Sequence, residues 1–379
     1  MAFMSFYGGN LIALADLLSD LSRAKGVKEI ALAVEIKTLL DSLTSMHVDY
    51  DDPKAKKDFL FEVYFPSVQP QVSGQKIAVS VADIIGDLRN KGEWIFAQIR
   101  DHEKITVEHK GRTDAWFNGY YDNKGKRVEG KKDGRVWMTL PGQVFAVMSG
   151  LASGEDVGQI IVAVRQYLRD GQTGGVRLNT DFGLDHYFDL GRAFGFAYGT
   201  KENGAVFSHM TVMYAYALYK RGFVQEGHEV LLSLRTMAMN SSRSKIYPGI
   251  PEYFDSEGRG HYHYLTGSAS WLVLTQLTQV YGVRGEKGDL RIEPKLSCDE
   301  FDPSTGEASL LCHFAGKKLK VTFQNAERLD YGRYRIKAVY LNDKLMELAA
   351  KEAGSVLIIR ETIKMAPDDS WIKVVLDVA

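Results

Sequence analysis

Cysteine is scarce in this sequence: only Cys298 and Cys312 occur among 379 residues. Two cysteines make neither a disulfide framework nor a common zinc-ligand pattern, so we interpret both as buried, reduced thiols. Charge of one sign is lacking as well, because 47 Lys and Arg balance 48 Asp and Glu. This balance argues against a nucleic-acid-binding protein. No apolar run reaches the roughly 18 residues of a membrane-spanning helix, and no signal-peptide pattern is present, so we expect a cytoplasmic protein without membrane association.

The composition that remains is that of a globular protein rich in aromatic residues. Hydrophobic residues make up 45% of the chain, and there are 19 Tyr, 18 Phe and 5 Trp. Most aromatic side chains belong to protein cores, but aromatic faces also pack on the apolar faces of sugar rings. The length favours one large domain and a smaller one.

Helical periodicity dominates the chain up to about residue 281. The predicted helices include one that begins near Met1 and segments 31–43, 81–99, 209–220, 225–239 and 268–281. Long loops rich in glycine and aromatic residues separate them at 116–134, 171–204 and 241–267, and loops of this length are commonly functional. From about residue 284, short strand-like segments alternate with turn residues. We therefore predict a mainly α toroid of paired helices over 1–283 and a small antiparallel β-sandwich, jelly-roll-like, over 284–379.

Three segments together resemble one enzyme family. They are 121–125 with 136–150, then Lys-Glu-Asn-Gly-Ala-Val-Phe-Ser-His at 201–209, then Tyr-Leu-Thr-Gly-Ser-Ala-Ser-Trp at 264–271. In this order and separation they resemble glycoside hydrolase family 94, the cellobiose, chitobiose and related β-glucan phosphorylases. Segments 6–11, 72–79, 91–95 and 259–267 look most similar to the 1,2-β-oligoglucan (sophorose-type) branch. The resemblance implies an incomplete (α/α)6 toroid.

The resemblance also implies roles for individual residues. His209, Thr266 and Gly267 match the positions that contact phosphate. Lys201 and Glu202 match positions that hydrogen-bond sugar hydroxyls. Weaker candidates for lining the sugar cleft are Gln143, Trp116, Tyr121 and Trp137. No cofactor is implied, and inorganic phosphate is the co-substrate.

The donor set for phosphate is chemically reasonable: a hydroxyl, an imidazole N–H and a backbone N–H at the start of a helix all donate to anions. His261 and His263, two residues apart, could suggest a metal site. No Cys or carboxylate pattern accompanies them, so we expect no metal.

The family's general acid is an Asp in a Trp-Asn-Asp or Trp-Asp-Asp segment, and this chain contains no such segment. The resemblance places that Asp upstream of Met1. We therefore expect a C-terminal fragment that is inactive alone, and partners that are a β-glucan oligosaccharide, glucose 1-phosphate and phosphate. A homodimer is left open. One alternative is a self-contained inverting hydrolase that draws on Asp122, Asp181, Asp185 and Glu202. Another is an inactive carbohydrate-binding protein.

Overall fold

The structure is a computed structural model of the chain. It describes residues 1–44, 48–184, 186–247, 249–264, 266–347, 350–352 and 354–379. These residues form two compact units, one made of 1–104 with 149–151 and the other of 105–148 with 152–379. Helices predominate and the sheets are small, so the predicted mainly α composition is confirmed. The predicted toroid and the division at 283/284 stay predictions.

The first unit is built on two long helices and one pair of strands that are distant in sequence. Its elements are α1 (Ala2–Lys25), β1 (Glu29–Ala33), α2 (Pro53–Asp58), α3 (Phe65–Val68), β2 (Lys76–Ser80) and α4 (Val81–His102). Strands β1 and β2 pair antiparallel. Helix α4 begins at the predicted residue, where the Ser80 hydroxyl accepts a hydrogen bond from the Asp83 N–H. The predicted helix at 31–43 is wrong, because its first residues form β1 and a short 3-10 helix follows over Val34–Leu39.

Helix α1 begins directly after Met1, as predicted, and approaches α4 closely at glycine. A Cβ on Gly92 of α4 would lie 2.9 Å from the carbonyl oxygen of Gly8 in α1. Helix α1 nevertheless leaves several large apolar side chains exposed, Phe3 and Leu17 among them. Although polar residues interrupt its apolar run, α1 meets the length and composition criteria of a membrane-spanning helix, which core helices and signal sequences also meet.

The second unit contains most of the helices and strands. Its helices are α5 (Leu140–Ser149, whose last residue belongs to the first unit), α6 (Gly154–Ala163), α7 (Tyr187–Leu190), α8 (Ser208–Lys220), α9 (Val224–Met239), α10 (Ser241–Ser244), α11 (Gly267–Thr275) and α12 (Arg360–Lys364). Its strands before residue 280 are β3 (Lys104–His109, whose first residue belongs to the first unit), β4 (Arg112–Phe117), β5 (Gly130–Lys132), β6 (Arg135–Trp137), β7 (Val206–Phe207), β8 (Tyr253–Phe254) and β9 (Gly260–His261). These strands form small sheets between helices, in a part of the chain predicted to be helices and loops only.

The strands after residue 280 form two sheets. They are β10 (Val283–Glu286), β11 (Asp289–Ile292), β12 (Glu307–Phe314), β13 (Lys317–Gln324), β14 (Tyr334–Leu341), β15 (Lys344–Leu345), β16 (Ala350–Glu352), β17 (Ser355–Ile358) and β18 (Ser370–Val378). The strand orders are β10-β11-β17-β16 and β12-β13-β18-β14-β15. The prediction of purely antiparallel pairing fails at one place, because β13 and β18 run parallel. Helix α12 lies between β17 and β18, so the chain passes from one sheet to the other before β18 pairs with β13.

One hydrophobic core joins these sheets to the helices. Ala215 and Tyr219 of α8 and Leu231 of α9 lie in the same buried cluster as Val321 and Phe323 of β13. The two cysteines are free, as predicted, but only half-buried rather than fully buried.

Candidate phosphate and sugar site

The residues predicted to contact phosphate meet where two helices begin. His209 is the second residue of α8, and Gly267 is the first residue of α11. A Cβ built on Gly267 would lie 2.9 Å from Cε1 and 3.1 Å from Nδ1 of His209, so the imidazole lies directly against the glycine. Because helix N-termini carry free N–H groups and partial positive charge, this arrangement suits an anion.

His209 has an unused polar atom at this place. Its Nε2 is buried and has no hydrogen-bond partner among the described residues. Burial lowers the pKa of the imidazole below its usual range, and the charge of Glu252 acts in the opposite direction. Buried polar atoms are nearly always hydrogen-bonded, so an unpaired one is where a bound ligand would make its contact.

Thr266 is the N-cap of α11. Its hydroxyl oxygen accepts a hydrogen bond from the Ser268 N–H at 3.2 Å, and the hydroxyl lies 3.0 Å from Ser268 Oγ. The capping role considered for a Thr-Gly pair before a helix is therefore present. Thr266 directly precedes Gly267, whose backbone lies against the His209 ring, so the Thr-Gly pair and His209 belong to one region of the second unit.

Lys201 and Glu202 lie on a tight turn, and Glu202 has one oxygen engaged and one unused. Glu202 Oε1 accepts a hydrogen bond from Arg192 at 2.6 Å. Its Oε2 is buried without a hydrogen-bond partner among the described residues. The Lys201 ammonium lies 5.0 Å from the ring centre of Phe196 and 5.5 Å from that of Tyr262. A carboxylate acceptor beside a held ammonium is suited to sugar hydroxyls.

Two of the predicted cleft residues are buried in the core, which corrects the prediction that they line a sugar cleft. Gln143 is fully buried, and its amide pairs with the backbone N–H and C=O of Phe117. Trp116 is 1% exposed, and its indole N–H donates to Glu129. Because their polar groups are paired inside the protein, neither side chain is free to contact a ligand.

Trp137 is also occupied by protein neighbours. Its ring stacks on Phe182, with centroids 4.5 Å apart and planes inclined by 7°, and the Lys132 ammonium lies 4.8 Å from the ring centre. Tyr121 is half-buried and forms a β-bridge with Arg127. The Trp137 ring is thus engaged by Phe182 and Lys132, while the cleft role of Tyr121 stays a prediction.

Two carboxylates of the alternative hydrolase, Asp122 and Asp181, accept hydrogen bonds from nearby backbone N–H groups. Asp122 accepts backbone N–H groups from Lys124 and Lys126, and these hydrogen bonds hold the pKa of its carboxyl below the usual range. Asp181 is exposed and accepts the Gly183 N–H. Asp185 lies outside the described residues. A general acid needs a raised pKa, so Asp122 has the opposite of what acid catalysis requires.

The histidines considered for a metal have other surroundings. His261 pairs with Asp255 at 2.8 Å and stacks on Tyr253. His263 packs edge-on against Tyr264. Within the described part of the chain, no group of three or more His, Cys, Asp or Glu side chains could hold a metal ion.

Sequence reasoning missed Glu129, a fully buried carboxylate in the second unit. Glu129 Oε1 accepts from Gly119 N–H and the Thr139 hydroxyl, and Oε2 accepts from Trp116 Nε1 and Thr139 N–H, at 2.6–3.0 Å. Burial raises its pKa to about 7 against these four hydrogen bonds, which lower it. A glutamate between valine and glycine in a charged loop carries no sequence signal of this burial.

Comparison with known proteins identifies a family. Residues 91–282 match the family described as the Glycosyl hydrolase 94 superfamily, catalytic domain. A 3-O-beta-D-glucopyranosyl-beta-D-glucuronide phosphorylase from Paenibacillus borealis is 28% identical over 203 residues, which are 48% of this chain and 25% of the relative. A cellobionic acid phosphorylase from Neurospora crassa is 25% identical over 195 residues, 46% of this chain and 23% of the relative.

A solabiose phosphorylase from Paenibacillus borealis is 25% identical over 241 residues, 62% of this chain and 30% of the relative. The chain thus spans less than a third of the length of each of these three relatives. The family match covers half of the chain and includes Lys201, Glu202, His209, Thr266 and Gly267. The chain therefore belongs to the Glycosyl hydrolase 94 superfamily.

Proposed function

We propose that this chain supplies the phosphate-binding residues and part of the sugar-binding surface of an inverting glycoside phosphorylase. The reaction is β-1,2-oligoglucan plus phosphate to α-glucose 1-phosphate plus a shortened glucan, and its reverse. The observation that carries the proposal is the contact of the His209 imidazole with Gly267, where two helices begin and where Nε2 has no hydrogen-bond partner in the part of the chain that the structure describes. The related phosphorylases support the reaction class.

The chemistry divides between this chain and another part of the protein. Inverting phosphorolysis needs phosphate on one face of the anomeric carbon and a general acid at the leaving oxygen on the other. His209, Thr266 and Gly267 would hold the phosphate, and Lys201 with Glu202 would hold sugar hydroxyls. The general acid is proposed to lie outside these 379 residues, in a segment upstream of the residue numbered Met1 here. The chain alone would then bind ligands without turning them over.

The β-1,2 linkage depends on the likeness of four segments, at 6–11, 72–79, 91–95 and 259–267, to the sophorose-type phosphorylases. The relatives found by comparison are named for other disaccharides. Sophorose, the β-1,2-linked glucose disaccharide, is therefore the first sugar to test, with cellobiose as its comparison.

The test is isothermal titration of the 379-residue chain with inorganic phosphate, α-glucose 1-phosphate and sophorose, together with an assay for released glucose. We expect binding without turnover, and loss of phosphate binding in His209→Ala. His313→Ala is the matched control, because His313 is an exposed residue of β12.

Two results would contradict the proposal. One is a wild-type chain that binds no phosphate, or a His209→Ala chain that binds it as well as the wild type does. The other is hydrolysis of a β-glucan by the chain alone that disappears in Asp181→Asn, which would establish the self-contained hydrolase instead.

A further inference from the structure

The turn that carries Lys201 and Glu202 has an unusual backbone. Lys201 has a φ of 47°, in the left-handed region that disfavours side chains other than glycine. Gly204 has a φ of 71°, and a Cβ there would lie 2.1 Å from the ring of Tyr198. The turn closes on itself through hydrogen bonds from Gly199 N–H to the Asn203 carbonyl and from Asn203 N–H to the Thr200 carbonyl. These local hydrogen bonds define the shape of the turn, but its position in the second unit depends on contacts with residues outside it.

Asn179 supplies that connection from a distant part of the chain. Its Nδ2 donates to Asn203 Oδ1 at 3.0 Å, and its Oδ1 accepts the Gly204 N–H at 2.8 Å. Both asparagines are fully buried. Asn203 in turn donates from Nδ2 to the Phe196 carbonyl at 2.7 Å, so one buried amide pair holds both ends of the turn.

Asn179 is itself held by ordered structure. It forms a β-bridge with Thr139, immediately before α5. The neighbouring Leu178 donates its N–H to Ala205 and accepts the Leu140 N–H. The position of Asn179 is therefore set by the start of a buried helix, and the amide transmits that position to the turn.

The turn presents the groups that the proposed function assigns to sugar. Phe196, whose carbonyl is fixed by Asn203, lies under both the Lys201 ammonium and the Arg192 guanidinium, at 5.0 and 5.6 Å. Arg192 holds one oxygen of Glu202, and the other oxygen is unpaired among the described residues. A displacement of the turn would move the ammonium and the carboxylate together, and so would disturb any ligand that uses both.

We infer that Asn179 is a positioning residue for sugar: its buried amide fixes the Lys201–Glu202 turn so that an ammonium and a carboxylate face the hydroxyls of a neutral sugar. The inference rests on the proposed function for its ligand. Its structural part, the ordering of residues 199–204 by Asn179, can be measured without any ligand.

The experiment compares the wild-type chain with Asn179→Ala and Asn179→Asp. The matched control is Asn325→Ala, because Asn325 is equally buried and holds another turn of the second unit through two hydrogen bonds with Leu329. Hydrogen–deuterium exchange reports on the amides of residues 199–204, and titration gives the affinities for sophorose and for phosphate.

We expect Asn179→Ala to speed exchange in 199–204 and to weaken sophorose binding about ten-fold, while phosphate affinity changes less than about two-fold. Asn179→Asp should give exchange rates and a sophorose affinity between those of the wild type and Asn179→Ala. The reason is that Asp still accepts the Gly204 N–H but cannot donate to Asn203. Asn325→Ala should leave both affinities and the exchange of 199–204 unchanged.

Three results overturn the inference. They are unchanged exchange in 199–204, an equal loss of sophorose and phosphate affinity, or the same sophorose loss in the Asn325 control. A wild-type chain that binds neither ligand refutes the proposed function and the sugar-binding role with it. In that case, hydrogen–deuterium exchange of residues 199–204 still shows whether Asn179 orders the turn.

Discussion

The imidazole of His209 lies against the α-carbon of Gly267, although 58 positions separate the two residues in the chain. The contact leaves no room for a side chain at 267, because a Cβ would lie 2.9 Å from the ring. Glycine is required here by the close approach of a ring and not by backbone conformation, since Gly267 is the first residue of a helix. The contact therefore allows a substitution that disturbs the ring while the helix remains.

We predict that Gly267→Ala weakens phosphate binding about ten-fold, because the new methyl group displaces His209. The melting temperature should change little, since alanine favours the helix. Gly154→Ala is the control: Gly154 is also the first residue of a helix, and nothing lies within 4 Å of the position that its Cβ would take. Titration with phosphate and thermal melts of both variants check this. Unchanged affinity in Gly267→Ala would show that the contact does not serve phosphate.

We predict that His209 titrates below the usual histidine value of 6.5, since burial disfavours its charged form. A bound dianion should raise that pKa, so binding should strengthen as the pH falls through the titration of His209. Sulfate is the probe, because its charge stays constant over this range. NMR titration of the His209 ring with and without sulfate measures both values, and a pKa that sulfate leaves unchanged would place the anion elsewhere.

We predict that Glu129 makes the folded state less stable as the pH rises. Its folded pKa of about 7 lies above its usual 4.5, so the folded protein binds the proton more tightly than the unfolded chain does. The contribution of Glu129 to the free energy of unfolding is complete below about pH 4.5. It is lost as the pH rises through 7, and the loss is at most about 3 kcal/mol.

The Glu129 prediction is checked by urea unfolding of the wild type and of Glu129→Gln at pH 5 and pH 8. The variant is destabilised at pH 5, because its amide NH2 would replace an oxygen that accepts two of the four hydrogen bonds. The decrease in the free energy of unfolding between pH 5 and pH 8 should be smaller in the variant than in the wild type. Equal drops would mean that Glu129 does not titrate in this range.

We predict that Arg192→Ala weakens sophorose binding several-fold and leaves phosphate binding unchanged, because Glu202 loses the partner that orients it. Stability should change by less than about 1 kcal/mol, since the ion pair is largely exposed. Arg165→Ala, which removes an exposed pair with Glu229 of the same 2.6 Å length, is the control. Equal effects of the two substitutions on sophorose binding would remove Arg192 from the sugar site.

Local sequence determined the helices and strands where the chain interacts mainly with itself. The helix predicted at 209–220 begins one residue earlier in the structure and ends at the predicted Lys220, and the one predicted at 225–239 is Val224–Met239. Apolar residues at helical spacing and glycines beyond the ends define such elements without help from the rest of the protein. The helix predicted at 31–43 failed because residues 31–33 pair with β2, more than 40 positions away, and this distant pairing decided the outcome.

The candidate site divides in the same way. The motifs in the sequence predicted His209, Thr266, Gly267, Lys201 and Glu202, which the structure places at two helix starts and one turn. Only tertiary structure decided that Trp116 and Gln143 are internal, since their partners Glu129 and Phe117 lie 13 and 26 residues away. The roles proposed for Arg192 and Asn179, and the burial of Glu129, depend on contacts with residues 10 or more positions away in the chain. No local pattern encodes these contacts, because burial and hydrogen-bond partners exist only once the chain has folded.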